Sequence, residues 1–291
     1  MTDQSDISII DSHFHIWDPD RGDYGWLTGP FAPIRRVFMP ADFAAAAQPA
    51  GVIGGVLVQT WASVEETREF LALAEANREI MGVVGWVDLC APDVGDVLDQ
   101  LLAGPGGLYL KAVRHLVHNE PDADWLGRAD VRNGLQAVAE RGLAYDLLIR
   151  PREIPASIAL AKAMPELRLV VDHIAKPAIA RGEYRQWAEP FAGFAELPNV
   201  ACKLSGMVTE ADLSGWTQEQ LAPYFNRALE IFGPDRLMTG SDWPVCLVAT
   251  DYAGAIDLVR DAIAPLSPDE QRAVLQTCTK HFYKLEPGSE T

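Results

Sequence analysis

Eight short runs rich in Val, Ile and Leu recur along the chain at intervals of roughly 25 to 45 residues, separated by longer stretches rich in Ala, Leu and Glu. The runs occupy 7–13, 55–60, 81–88, 108–116, 143–149, 167–174, 199–206 and 236–242. Near-continuous apolar runs of this length fit strands buried on both faces, the signature of parallel sheets covered by helices. The segments between them carry helix signals. Ser63 with Glu66, Thr217 with Gln220 and Ser267 with Glu270 have capping-box spacing, the last with Pro268 at the first helical position. Gly142 sits where a helix should stop. Phe70, Leu71 and Ala74, like Ile256, Val259 and Ile263, recur at helical spacing and predict one buried face each.

Eight such units, with no glycine-rich dinucleotide fingerprint after the first run, predict an α/β fold: a closed, TIM-like (β/α)8 barrel. With 291 residues, 48% of them hydrophobic, the chain has material for one large core. A single domain over 1–291 is expected, its ordered core spanning roughly 7–285. Segments 17–40 and 117–129 read as loops on the barrel rim. Ligands of parallel barrels bind beyond the carboxyl ends of the strands, so residues at those ends belong together.

Collected in order, the ends supply His13 and His15, then Trp61, Trp86 and Asp88, Arg114 and His115, and Asp146. Asp172 and His173, Lys203 and Ser205, and Asp242 and Trp243 complete the set. In the opening run, SIIDSHFHIWDP at 8–19, alternate side chains of an extended strand share a face, so Asp11, His13 and His15 are expected to project together. Polar ends on apolar strand bodies mark a site. His13, His15 and Asp242 are the candidate metal ligands: two imidazoles and a carboxylate suit zinc or a similar divalent ion and leave a position open for water. Trp26, Trp61, His115 and Trp243 are candidates to lie against a substrate ring.

The charge balance narrows the partners. With 41 acidic and 24 basic side chains the net charge is −17, which repels nucleic acid and anionic membrane surfaces, while a local arginine could still hold an anionic substrate against a field that salt screens within roughly 10 Å. Cys90, Cys202, Cys246 and Cys278 form no C-x-x-C pair, against a zinc knuckle or a redox dithiol. The first residues, MTDQSDISII, lack a secretory pattern, and no apolar run approaches the ~20 residues that cross a bilayer. A cytoplasmic location is expected; the pattern sets no oligomeric state.

DSHFHIWDP, VRHLV at 113–117, LAYDLLIRP, DHIAKP at 172–177, NVACKLSG and RLMTGSDWPV together resemble the amidohydrolase superfamily in its sugar-lactonase branch, most closely the L-fuconolactonase and L-rhamnonolactonase type. The resemblance spans essentially the whole chain. It implies hydrolysis of a sugar lactone by water, without an organic cofactor. The carboxylate of Asp242 would act as general base and then acid, His13, His15 and His173 would surround the carbonyl, and Arg114 would assist on the ring side. Lys111 lies too early to bridge metals and Asp146 replaces a histidine of binuclear members, so a two-metal site is not expected. One divalent ion is expected at most, and catalysis is expected not to depend on it. No G-x-S-x-G elbow is present, which favours direct attack by water over a covalent route. The rival readings are a metal-dependent decarboxylase of an unsaturated or aromatic acid and a non-catalytic sugar-acid binding protein on the same scaffold.

Overall fold

In the computed structural model, residues 7–285 are described. Eight strands, β1 (Ile9–Phe14), β2 (Val52–Val58), β3 (Ile80–Gly85), β4 (Leu110–His115), β5 (Ala144–Leu147), β6 (Leu169–Val171), β7 (Val200–Leu204) and β8 (Leu237–Thr239), pair in sequence order, all parallel. The helices are α1 (Pro40–Ala47), α2 (Val64–Ala76), α3 (Val94–Ala103), α4 (Ala129–Glu140), α5 (Ile154–Ala163), α6 (Tyr184–Phe191), α7 (Met207–Glu210), α8 (Gln218–Phe232), α9 (Tyr252–Ile263), α10 (Pro268–Arg272) and α11 (Cys278–Phe282). The ring closes just past β8, where Phe14 bridges Trp243 in parallel, the Asp242 amide donates to His13 O at 2.9 Å and the His15 amide to Trp243 O at 2.6 Å.

The strands alternate with period two between two hydrophobic layers. Ile10, Val56, Val58, Val84, Ala112, Ala144, Val170, Ala201 and Met238 point into the barrel, while neighbours such as Leu57, Val113, Tyr145, Val171 and Cys202 pack outward against the helices. Tyr283 and Leu285, beyond α11, join the inner layer. One step of the same parity further along, four inward positions are ionic: Arg114, Asp146, Asp172 and Lys203. The barrel therefore changes from apolar to charged over two residues per strand, toward the carboxyl end.

Phe70, Leu71, Ala74, Ile256, Val259 and Ile263 are all buried, as their spacing predicts. Full capping boxes form at Thr217 and Ser267, and Gly142 follows α4 with φ +66°. At Ser63 only half a box forms: its hydroxyl accepts from the Glu65 and Glu66 amides, but the Glu66 carboxylate turns elsewhere. The expected strands at 167–174 and 236–242 are shorter, ending at Val171 and Thr239, because the backbone beyond each leaves the extended region to present side chains.

Candidate active site

The site starts from an irregularity in β1. A register shift between Asp11 and Phe14 breaks strict alternation, so Asp11 does not project with the histidines, contrary to expectation. Its buried carboxylate instead accepts from Ser241 Oγ (2.5 Å), the Ser241 amide (3.0 Å) and Tyr252 OH (2.9 Å) of α9, bracing β1 against the chain that closes the barrel. Past the shift, His13 and His15 converge, with their Nε2 atoms 3.1 Å apart. The two backbone hydrogen bonds that seal the ring hold Asp242 beside them. Its Oδ1 lies 3.4 Å from His15 Nε2 and 3.8 Å from both His13 Nε2 and His173 Nε2.

Local strain accompanies this convergence. His173, Ile174, Ala175 and Lys176 all have positive φ (+47 to +61°), as does Asp242 at +56°. For non-glycine residues each such conformation costs roughly 1–2 kcal/mol and persists only where surrounding contacts enforce it. Trp187 of α6 supplies one, donating its indole N–H to Ile174 O at 2.6 Å. Ser205 Oγ, 2.8 Å from His173 Nδ1, supplies another, and Gly206 lies under the same imidazole, where a Cβ would sit 2.6 Å from Nδ1.

Beneath the imidazoles lies the ionic layer. Lys203 Nζ is 2.6 Å from Asp146 Oδ2, 2.9 Å from Asp172 Oδ1 and 3.1 Å from His13 Nδ1. Arg114 contacts Asp172 Oδ2 through Nη1 at 3.0 Å and donates Nη2 to Gln59 O at 2.5 Å. Tyr283 OH donates to Asp146 at 2.8 Å. Burial, reinforced by Lys203, holds the His13 pKa well below its ordinary value, against the pull of Asp172. Burial draws His173 down to about 4 despite Asp242. For Asp242, burial opposes ionisation, but His173, His15 and His13 outweigh it and keep the carboxyl below the usual range. Asp146 is raised to about 6 by burial, with Lys203 opposing. At neutral pH the centre therefore holds the Asp242 carboxylate facing the neutral imidazoles of His13 and His173.

This donor set fits a divalent ion. His15 Nδ1 lies 2.7 Å from Val58 O, which only accepts, so Nδ1 carries the proton and Nε2 presents a lone pair. His13 Nδ1 has an acceptor, Asp172 Oδ1 at 3.4 Å, as well as the donor Lys203, so either tautomer is supported and Nε2 can be lone pair or N–H. Ligand atoms about 2.0–2.1 Å from a tetrahedral ion lie roughly 3.3 Å apart, and the separations within His13, His15 and Asp242 bracket that value. A second group, His13, Asp172 and His173, also converges, but Lys203 and Arg114 already engage Asp172.

The other expected site residues fall into two groups. Trp243 is turned away from the centre, packed edge-on to Phe38 (5.1 Å between ring centres) and against Phe43, so it is withdrawn as a substrate contact. His115 is stacked on Trp125 (4.4 Å), accepts from Trp86 Nε1 at Nδ1 and meets Glu120 through Nε2 at 2.7 Å, so both its ring nitrogens are occupied. Arg114 lies below His13 with both terminal nitrogens committed, which leaves no ring-side contact. Trp26 (39% exposed) and Trp61 remain on the rim. Lys203, Ser205 and Asp172 stand at strand ends in the sequence, yet nothing there showed that they would contact His13 or His173. Spacing gives Glu66 only a capping role, whereas its carboxylate binds the Thr60 and Trp61 amides, Thr60 Oγ1 and Tyr24 OH.

A parallel barrel with two imidazoles from its first strand and a carboxylate after its last defines a hydrolase-type centre able to activate water. Over residues 10–285 the chain matches the amidohydrolase family, and it belongs to that family. It is 34% identical to an L-fucono-1,5-lactonase of Burkholderia ambifaria over 96% of this chain and 97% of that one, and equally to its Burkholderia multivorans counterpart. Among solved structures it resembles a B. multivorans amidohydrolase with bound zinc (TM-score 0.90, 32% identity, covering 96% of this chain and 100% of the other). A 5-carboxyvanillate decarboxylase of Sphingomonas paucimobilis, at TM-score 0.66 and 13% identity, shares the fold.

Proposed function

We propose that the protein hydrolyses the lactone of a sugar acid, of the L-fuconolactone kind, to the open-chain acid. The observation that carries this reading is the ionised Asp242 carboxylate, with three imidazole Nε2 atoms grouped about Oδ1 at 3.4–3.8 Å. The His13 and His173 nitrogens, at 3.8 Å, lie beyond hydrogen-bonding distance and His15 Nε2 presents a lone pair, so the oxygen retains lone pairs for a water proton. The two lactonase relatives, covered almost from end to end, support the choice of substrate class.

In this mechanism Asp242 takes the proton of a water whose oxygen attacks the lactone carbonyl carbon. Charge develops on the carbonyl oxygen; the ring C–O bond then breaks, and Asp242 returns the proton to the departing alkoxide. When Ser205 donates to His173 Nδ1, Nε2 carries a proton and can donate to the developing oxyanion. Arg114, Lys203, Asp146 and Asp172 hold His13 in place and balance charge beneath it. A divalent ion held by His13, His15 and Asp242, with zinc the candidate, would supply Lewis acidity toward the same oxygen. The reading does not require it, because well-placed donors each contribute about 3 kcal/mol to such centres. The four free cysteines fit a cytoplasmic setting, and among the described residues no helix is long and apolar enough to cross a membrane.

A pH-indicator assay against a panel of aldonolactones tests the activity, since each turnover releases acid. Asp242→Asn should lower kcat by about 10³-fold with an unchanged thermal midpoint; wild-type rates in that variant would remove Asp242 from the reaction. Exhaustive chelation, with metal content measured in parallel, should leave most of the activity. Complete loss restored by zinc would overturn the metal-independent version.

A further inference from the structure

Next to the catalytic centre, at the same end of the barrel, lies a cavity of about 360 Å³ between the loops that follow β5, β6 and β7. Its walls carry Arg150, Arg152, Lys176 and Arg181 against two carboxylates, Glu183 and Glu210. Even with Glu153, which pairs with Arg152 from beneath, cations outnumber anions, in a chain whose net charge is −17. Random placement of 24 basic among 41 acidic side chains would give the opposite sign.

The charges are not all spent on one another. Lys176 pairs with Glu210 on the floor, where their side chains are 14% and 18% exposed, and Arg181 pairs with Glu183 through Nε at 2.9 Å and Nη2 at 3.0 Å, with Nη1 outside that pair. The Arg150 guanidinium makes no ion pair among the described residues and borders the cavity. Gln186 of α6 adds a neutral amide to the wall. Lys176 reaches the floor through the left-handed turn that begins at His173, so one strained segment presents an imidazole to the catalytic centre and a cation to this cleft. The volume falls within the range of small-molecule sites, and the charged side chains of its walls suit a polar ligand.

We propose that this cleft binds a small polyhydroxylated carboxylate, the open-chain acid that hydrolysis releases. The assignment rests on the lactonase reading for the identity of the acid. Ring opening turns a neutral substrate into an anion, and the cleft is the adjacent place where an anion finds unpaired guanidinium and a wall of hydrogen-bond donors. Arg150 and Arg181 hold the carboxylate and Gln186 a hydroxyl, while the neutral lactone has no charge for the cleft to select.

The test is calorimetric titration of the whole protein with L-fuconate, and with inorganic phosphate as the comparison anion, for wild type and the double variant Arg150→Ala, Arg181→Ala. Both arginines lie outside the catalytic centre, and circular dichroism with the thermal midpoint verifies folding. The variant should bind L-fuconate about tenfold more weakly and keep kcat/KM for the lactone within about twofold. Product inhibition should change from mixed in the wild type to purely competitive in the variant. Equal L-fuconate affinity in both proteins, or phosphate binding tighter than L-fuconate, would overturn the proposal. Turnover without cleft-dependent binding would sink this inference alone; cleft-dependent binding without turnover would sink the lactonase reading alone.

Discussion

Gly206 shows how closely the centre depends on single residues. Its φ of +65° disfavours any side chain, and an added Cβ would fall 2.6 Å from His173 Nδ1 and 3.0 Å from His173 Cβ. Gly206→Ala should therefore lose about 1–2 kcal/mol from the left-handed backbone and also displace His173, lowering kcat more than tenfold. Gly142→Ala is the control, with φ +66° but nothing nearer than Lys284 Nζ at 3.8 Å; it should lose similar stability and keep its rate. Urea denaturation and initial rates on both variants separate the effects, and equal kcat values would refute the steric account. This position was not legible in the sequence, because NVACKLSG reads as a strand ending in an ordinary turn. His13, His15 and Asp242 were legible because their residue types are costly to bury without a partner or a task.

At the scale of elements, Glu66 ties three of them together. It leaves α2 at its first turn, and its buried carboxylate accepts from the Thr60 amide (3.0 Å), the Trp61 amide (3.1 Å) and Thr60 Oγ1 (2.5 Å) beyond β2, and from Tyr24 OH (3.4 Å) in the 17–40 loop. Burial raises its pKa despite these donors. Glu66→Ala should orphan two backbone amides, at about 1–3 kcal/mol for each group left unsatisfied, and release Tyr24 and Trp61 from the rim. Because the catalytic groups stand on other strands, KM should rise several-fold while kcat changes little; an unchanged KM would show that the rim does not meet substrate. The spacing Ser63-x-x-Glu66 gave a capping box, a local motif. Two tertiary neighbours with free amides overrode its second half.

For the molecule as a whole, burial of histidine sets the acid side of the stability curve. His118 is drawn down to about 3 by burial and by the nearby Lys176 and Arg150, and His13 and His173 also lie below their ordinary values. The unfolded chain protonates these groups near 6.5, whereas the folded protein refuses the proton, so their contribution is complete above pH 6.5 and is lost progressively as pH falls toward about 3. Asp146, raised to about 6, works in the opposite direction between roughly pH 6 and 4. Asp11, also raised by burial, has the same sign as Asp146. His118→Leu isolates one histidine: between pH 6 and 4 the variant's stability should fall less steeply than wild type, by up to about 1.4 kcal/mol per pH unit. Parallel urea midpoints would show that His118 is not buried neutral.

The sequence by itself determined the eight strands, their parallel order and the end of the barrel that works, because period-two burial and βα alternation are local consequences of which side chains avoid water. It also determined that imidazole and carboxylate would lie at strand ends. Only the tertiary structure decided which of those ends meet. The shift in β1 turned Asp11 outward and the histidines inward, ring closure carried Asp242 to them from 227 residues away along the chain, and four left-handed residues aimed His173 and Lys176. Such choices depend on contacts between segments remote in sequence, whose free energy outweighs the local preference of each backbone.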